Sequence, residues 1–251
     1  MQQDSQTASQ ASATNQLALR LGYWSALLMV VTFVVFTIAF IAIPLTGPLF
    51  IWSDLAGYLT YVRSGHTVFQ ELARWMMLLF GPLVVILFAS LYELANGERR
   101  LLARIGLSFA IIFAALTAAN YFVQLTAVRL AIQKDVTAGL EQIVQANPIS
   151  AVAAINVLGW SLFFGLASLF AAPLFRGRGL PRFIAICFWL NAAMCLLGGL
   201  GYVLDNAALV FVTLNFGMGG AVLGAAVGMV VYFRRLQASA RLAPRGTSAG
   251  R

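Results

Sequence analysis

Histidine, cysteine and charge are all scarce in this chain: one histidine, two cysteines and 10% charged residues among 251. A protein zinc site is built from several Cys, His or carboxylate ligands, and haem held between helices by paired histidines needs two of them. With His66 alone, neither is expected, and no cofactor or metal is assigned. Cys187 and Cys195 lie eight residues apart in one apolar run. On a helix that separates them by ~12 Å along the axis, too far to bridge each other. They read as small apolar packing residues, which disfavours a thiol redox enzyme. No Walker loop, dinucleotide fingerprint, Gly-x-Ser-x-Gly or HExxH sequence occurs. No acidic residue falls near the middle of an apolar run, where ion-coupled carriers place one. The remaining acid–base candidates are His66 with Glu71 or Asp54. The plainer reading of His66 is a solvated loop residue.

What is abundant is apolar surface. Hydrophobic residues make up 61% of the chain and mean hydropathy is +0.87. Soluble domains average roughly 45–50% apolar and about 25% charged. Six apolar runs, near 23–44, 75–92, 106–128, 151–175, 183–204 and 207–233, each reach 18 residues or more. About 20 helical residues cross a hydrocarbon core of ~30 Å. The alternating polarity of a barrel strand is absent. The fold class expected is therefore an all-α integral membrane protein with six transmembrane helices. The first run is too long for a cleavable signal and has no basic cluster ahead of it, so it is expected to stay as an anchor.

The net charge of +8 is distributed by position. Twelve arginines fall on one side of the runs: Arg20, Arg99, Arg100, Arg104, Arg176, Arg178, Arg182, Arg234, Arg235, Arg241, Arg245 and Arg251. The other side holds four cations, Arg63, Arg74, Arg129 and Lys134. The positive-inside rule then places both termini in the cytoplasm, which an even number of spans requires. The basic excess reads as topological, so the lipid bilayer and not nucleic acid is the expected partner. A small arginine-rich chain with one lysine has the general look of a bacterial inner-membrane protein. Residues 1–19 and 236–251 are expected to be disordered cytoplasmic tails around a transmembrane domain at 20–235.

Two outer segments carry helical periodicity. Ile51, Leu55, Tyr58, Leu59 and Val62 share one face and predict a short amphipathic helix on the outer surface after span 1, stopped by Ser64-Gly65. Thr67 with Gln70 predicts a capping box opening span 2, and Asn96-Gly97 its end. Val128, Ile132, Val136, Leu140, Ile143 and Val144 predict that span 3 continues as an amphipathic helix above the bilayer, bent at Gly139 and broken by Asn147-Pro148. Ser150 is a plausible cap for span 4.

At an offset of 78, Gly81, Ala89, Ser90, Leu91, Arg100, Leu102 and Arg104 match Gly159, Ala167, Ser168, Leu169, Arg178, Leu180 and Arg182. Either helix pairs 2–3 and 4–5 repeat one hairpin, or both simply share membrane-helix composition.

In span 3, Thr117, Asn120, Tyr121 and Gln124 fall at i, i+3, i+4 and i+7, a single polar stripe. Topology brings Asn156 and Trp160 of span 4, Tyr202 of span 5 and Asn215 of span 6 to a similar depth. These residues either hydrogen-bond between helices and fix packing, or line a pocket for a small amphipathic ligand. Gly220, Gly224 and Gly228 form a small-residue ridge on span 6, for internal packing or for a homo-oligomer. The leading expectation is a non-enzymatic membrane protein that binds or senses a small amphipathic molecule or a membrane partner from the outer side. The alternatives are a small-molecule transporter and a membrane-embedded enzyme.

Overall fold

The computed structural model describes the backbone of residues 2–242 and the side chains of 14–242. Arg245 and Arg251 lie outside the described residues. Seven helices organise the chain: α1 (Gln2–Thr46), α2 (Leu55–Arg63), α3 (Val68–Leu94), α4 (Glu98–Gln133), α5 (Ala151–Leu174), α6 (Leu180–Val203) and α7 (Ala207–Leu242). All but α2 are long and apolar enough to cross a membrane, and the chain is a multi-pass membrane protein. Large apolar side chains such as Ile38, Leu79, Ile111, Phe122 and Trp189 stand exposed around the bundle. An apolar girdle of that extent is stable only against lipid.

The six long helices form a ring in chain order. Each packs on its sequence neighbour, and α7 closes the ring on α1. Aromatic rings fill the centre: Phe80 lies 6.0 Å from Phe33 and 5.9 Å from Trp160, and Phe113 stacks on Phe164 at 4.5 Å. Such pairs contribute ~0.5–1.5 kcal/mol each beyond burial. Where backbones approach closely, glycine makes room. A Cβ at Gly22 would fall 2.2 Å from the Phe233 ring, and one at Gly228 would fall 2.8 Å from Ile184. Gly224 also faces α6, with Cys187 Sγ 3.0 Å from a Cβ built there, whereas Gly220 faces open space. Gly81 and Gly159, the pair matched by the 78-residue offset, press on Thr117 of α4 from two sides.

One end of the ring carries the arginine loops. The other carries α2 and the 134–150 connection, and is termed the lid end below. Asp54 caps α2, its carboxylate accepting from the Gly57 N–H at 2.7 Å. Ser64 and Gly65, with φ +83°, end it. The apolar face of α2 packs on protein: Tyr58 is buried with Val128, Leu140 and Val144. Ser150 caps α5 by accepting from the Ala153 N–H.

Four expectations need correction. Residues 14–19 are helical, not disordered, because the end of α7 runs beside them: Ala18 and Leu19 are buried, and Gln237 Nε2 donates to the Leu19 carbonyl at 2.9 Å. The second tail is likewise helical through Leu242. The amphipathic extension of span 3 does not form. The helix ends at Lys134 with Asp135 at φ +57° and a Val136 N–H to Ala131 C=O bond, a Schellman-type stop. The chain then folds back over the bundle with only a 3₁₀ turn at Leu140–Gln142, since that places Leu140 and Val144 against α2. Finally, Thr67 makes no side-chain cap, and Gln70 Nε2 instead donates to the Tyr61 hydroxyl at 2.9 Å.

Candidate functional site: a cavity under the lid

Three of the helices depart from α geometry at the lid end. α4 has a π turn at Gln124–Val128, α5 at Gly159–Phe163 and α7 at Val212–Gly217. A π turn costs hydrogen-bond geometry, re-aims the following side chains and recurs at functional sites. Two of these turns, on α5 and α7, border a cavity of about 420 Å³, within the usual roughly 300–1,000 Å³ of a small-molecule site. Trp160, Leu214 and Asn215 on two of these turns line it.

One wall is a row of rings on α1, Phe33, Phe36 and Phe40, with Phe50 above them. The opposite wall is polar. Trp160 Nε1 donates to the Tyr121 hydroxyl at 3.3 Å, and Asn156 and Gln145 lie beside that hydroxyl. Asn156 is only 9% exposed, yet its Oδ1 has no hydrogen-bond partner among the described residues. Buried amide oxygens are normally paired, so an orphan on a cavity wall calls for an occupant. Gln70 and Arg74 of α3 complete the polar side. Burial lifts the Tyr61 phenol above its ordinary range, and the nearby Arg74 guanidinium pulls it partway back.

The cavity sits beside a seam. α7 packs on α1 along Met218–Leu242, but its first part, 207–217, packs on α6. The two helices that close the ring therefore part at the lid end, where Phe40 of α1 and Asn215 of α7 are exposed.

A second cavity of about 380 Å³ lies against the first, lined by Arg63, Glu71, Arg74, Gln124 and Arg129 among others. Arg74 and Tyr58 form part of both walls.

The sequence-derived site residues divide into three groups. Tyr121, Asn156, Trp160 and Asn215 line the larger cavity, and Asn215 Nδ2 also donates to the Phe211 carbonyl. Gln124 and Tyr202 hold the lid. Gln124 Nε2 donates to the Ile143 carbonyl at 2.7 Å and its Oε1 accepts from the Gln145 N–H at 3.0 Å, while the Tyr202 hydroxyl donates to the Pro148 carbonyl. Asn120 is buried on α4 away from the cavity, and neither of its amide atoms has a partner among the described residues. Asn191, deeper in α6, donates to Ser168 Oγ at 2.6 Å.

The acid–base candidates are dispersed. Asp54 is engaged in the α2 cap, exposed His66 lies over Gly47, and Glu71 lines the second cavity. Among the described residues no group of three or more His, Cys, Asp or Glu could hold a metal ion. Sequence reasoning missed Gln70 and Arg74 as site residues. In the sequence Arg74 is one of the four cations on the less basic side, and its position facing α4 and α2 is not legible there. No protein-family model, curated protein or solved structure matches the chain.

Proposed function

We propose that this protein binds a small amphipathic molecule in the larger cavity, and that it is a binding protein rather than an enzyme. The orphaned Asn156 oxygen on the cavity wall carries this reading. It is an acceptor in want of a donor, set between a hydroxyl–indole pair and a row of phenyl rings. A ligand with one polar and one apolar part satisfies both walls. The seam between α1 and α7 favours entry from the bilayer. We propose further that the lid end faces outward from a bacterial inner membrane, because the loops rich in arginine are at the other end.

Trp160 reports occupancy directly, being buried and part of the wall. A protein keeping Trp160 alone, with Trp24, Trp52, Trp75 and Trp189 changed to Phe, is titrated with a fatty acid brominated at mid-chain. Saturable quenching is expected. Quenching no stronger than that of a protein keeping only Trp75, whose side chain is exposed on the bundle surface, would overturn the reading.

A further inference from the structure

Arg74 has a shared place. Its side chain belongs to the walls of both cavities, and among the described residues it makes no ion pair and no hydrogen bond. A guanidinium carries five donors in a fixed fork, and here none of them meets a protein acceptor among the described residues. The other cations of the smaller cavity differ. Arg63 is held by Asp135 across the lid. Arg129 spends its Nε on the Leu125 carbonyl at 3.0 Å and has no ion pair among the described residues. Glu71 is the only acid lining that cavity, so two arginines without ionic partners face one carboxylate.

The larger cavity contributes a shape. Phe33, Phe36 and Phe40 stand one above another on α1, covering ~10 Å of helix axis. They line the cavity along the helix axis, and this row is termed the phenyl slot. The cavity's volume of about 420 Å³ falls toward the lower end of the usual roughly 300–1,000 Å³ of small-molecule sites, which favours one chain over two.

We infer that the ligand is a single-chain amphiphile with an oxyanion head, a carboxylate or a phosphate monoester. Its chain lies along the phenyl slot and its head crosses into the smaller cavity to meet Arg74 and Arg129. Both head types match the guanidinium fork. The inference rests on the proposed occupancy of the larger cavity and adds the charge and chain number of what fills it.

The test uses the Trp160-only protein in nanodiscs with three brominated probes of equal chain length: the ionised fatty acid, the alkyl phosphate and the fatty acid methyl ester. Quenching is normalised to the Trp75-only protein, so that partition into the bilayer cancels. Both anions are expected to bind roughly ten- to hundredfold more tightly than the ester, the range of a charge-assisted hydrogen bond. Preference between acid and phosphate identifies the head. Arg74→Gln is expected to bring the anions to the affinity of the ester, which itself stays unchanged, and Arg74→Lys to restore part of the difference. An ester that binds as tightly as the acid overturns the inference while leaving occupancy intact. If no probe quenches Trp160, occupancy fails and the inference with it. Should Arg74→Gln not fold, the unmutated site still decides between acid and ester, and Arg129→Gln must then lower the anion preference. An unchanged preference in that variant overturns the assignment of the head.

Discussion

At the scale of single residues, the same amide chemistry does three jobs. Gln124 pairs both ends of its side chain with the backbone of the lid, at Ile143 and Gln145. Asn156 leaves its oxygen open on a cavity wall. Asn191 pairs between helices with Ser168. Thr117, Asn120, Tyr121 and Gln124, the polar stripe set by helical spacing, are all buried. Spacing has no access to their partners, such as Ile143 and Gln145 for Gln124 and Trp160 for Tyr121, which are 19, 21 and 39 positions away. Gln124→Leu removes two hydrogen bonds, each contributing ~0.5–1.5 kcal/mol. We expect faster amide hydrogen exchange across 134–150, by roughly ten- to hundredfold, with little change in exchange through α5 and α6. Uniformly faster exchange through the whole bundle would instead make Gln124 a core residue.

At the scale of elements, glycine geometry separates two uses of one ridge. Gly224 and Gly228 face α6, where added carbon meets Cys187 or Ile184. Gly220 faces open space. Gly228→Leu is expected to destabilise the monomer by ~1–3 kcal/mol through overpacking, read as a lower thermal midpoint in detergent. Gly220→Leu is expected to leave that midpoint unchanged. A blue-native gel of Gly220→Leu then checks whether the open face meets a second copy: a shift to a smaller species reveals an interface there, and an unchanged band argues against one. The helix caps show how far local signals reach. Ser150 performs as its position predicts, because a cap needs only the backbone three residues on. Thr67 does not, because its backbone lies in the helical region rather than extended, and Gln70 turns its side chain to the Tyr61 hydroxyl.

At the scale of the whole molecule, the bundle has unlike ends. Arginine loops mark one, and a folded lid of α2 and the 134–150 connection marks the other. We expect Ser64→Cys to react with a membrane-impermeant maleimide on intact cells. Asn96→Cys should react only after permeabilisation. Cys187 and Cys195 are buried and should stay silent in both. The reverse labelling pattern would invert the proposed orientation and place the cavity on the cytoplasmic side.

Hydropathy and helix length are local properties, so the number of spans, their order and the ends of several helices followed from the sequence alone. The ring of neighbours also suits short connections between successive spans. The cavity did not follow, because it is lined by residues as distant as Phe33, Arg74, Tyr121, Asn156 and Asn215. Their meeting depends on how six helices close into a ring and where α1 and α7 part. The 134–150 connection makes the same point. Its apolar residues recur at helical spacing, yet the chain bends at Asp135 and Gly139 so that Leu140 and Val144 pack on Tyr58. A partner surface supplied by another element outweighed the periodic pattern, since burial against α2 is available only in the folded molecule.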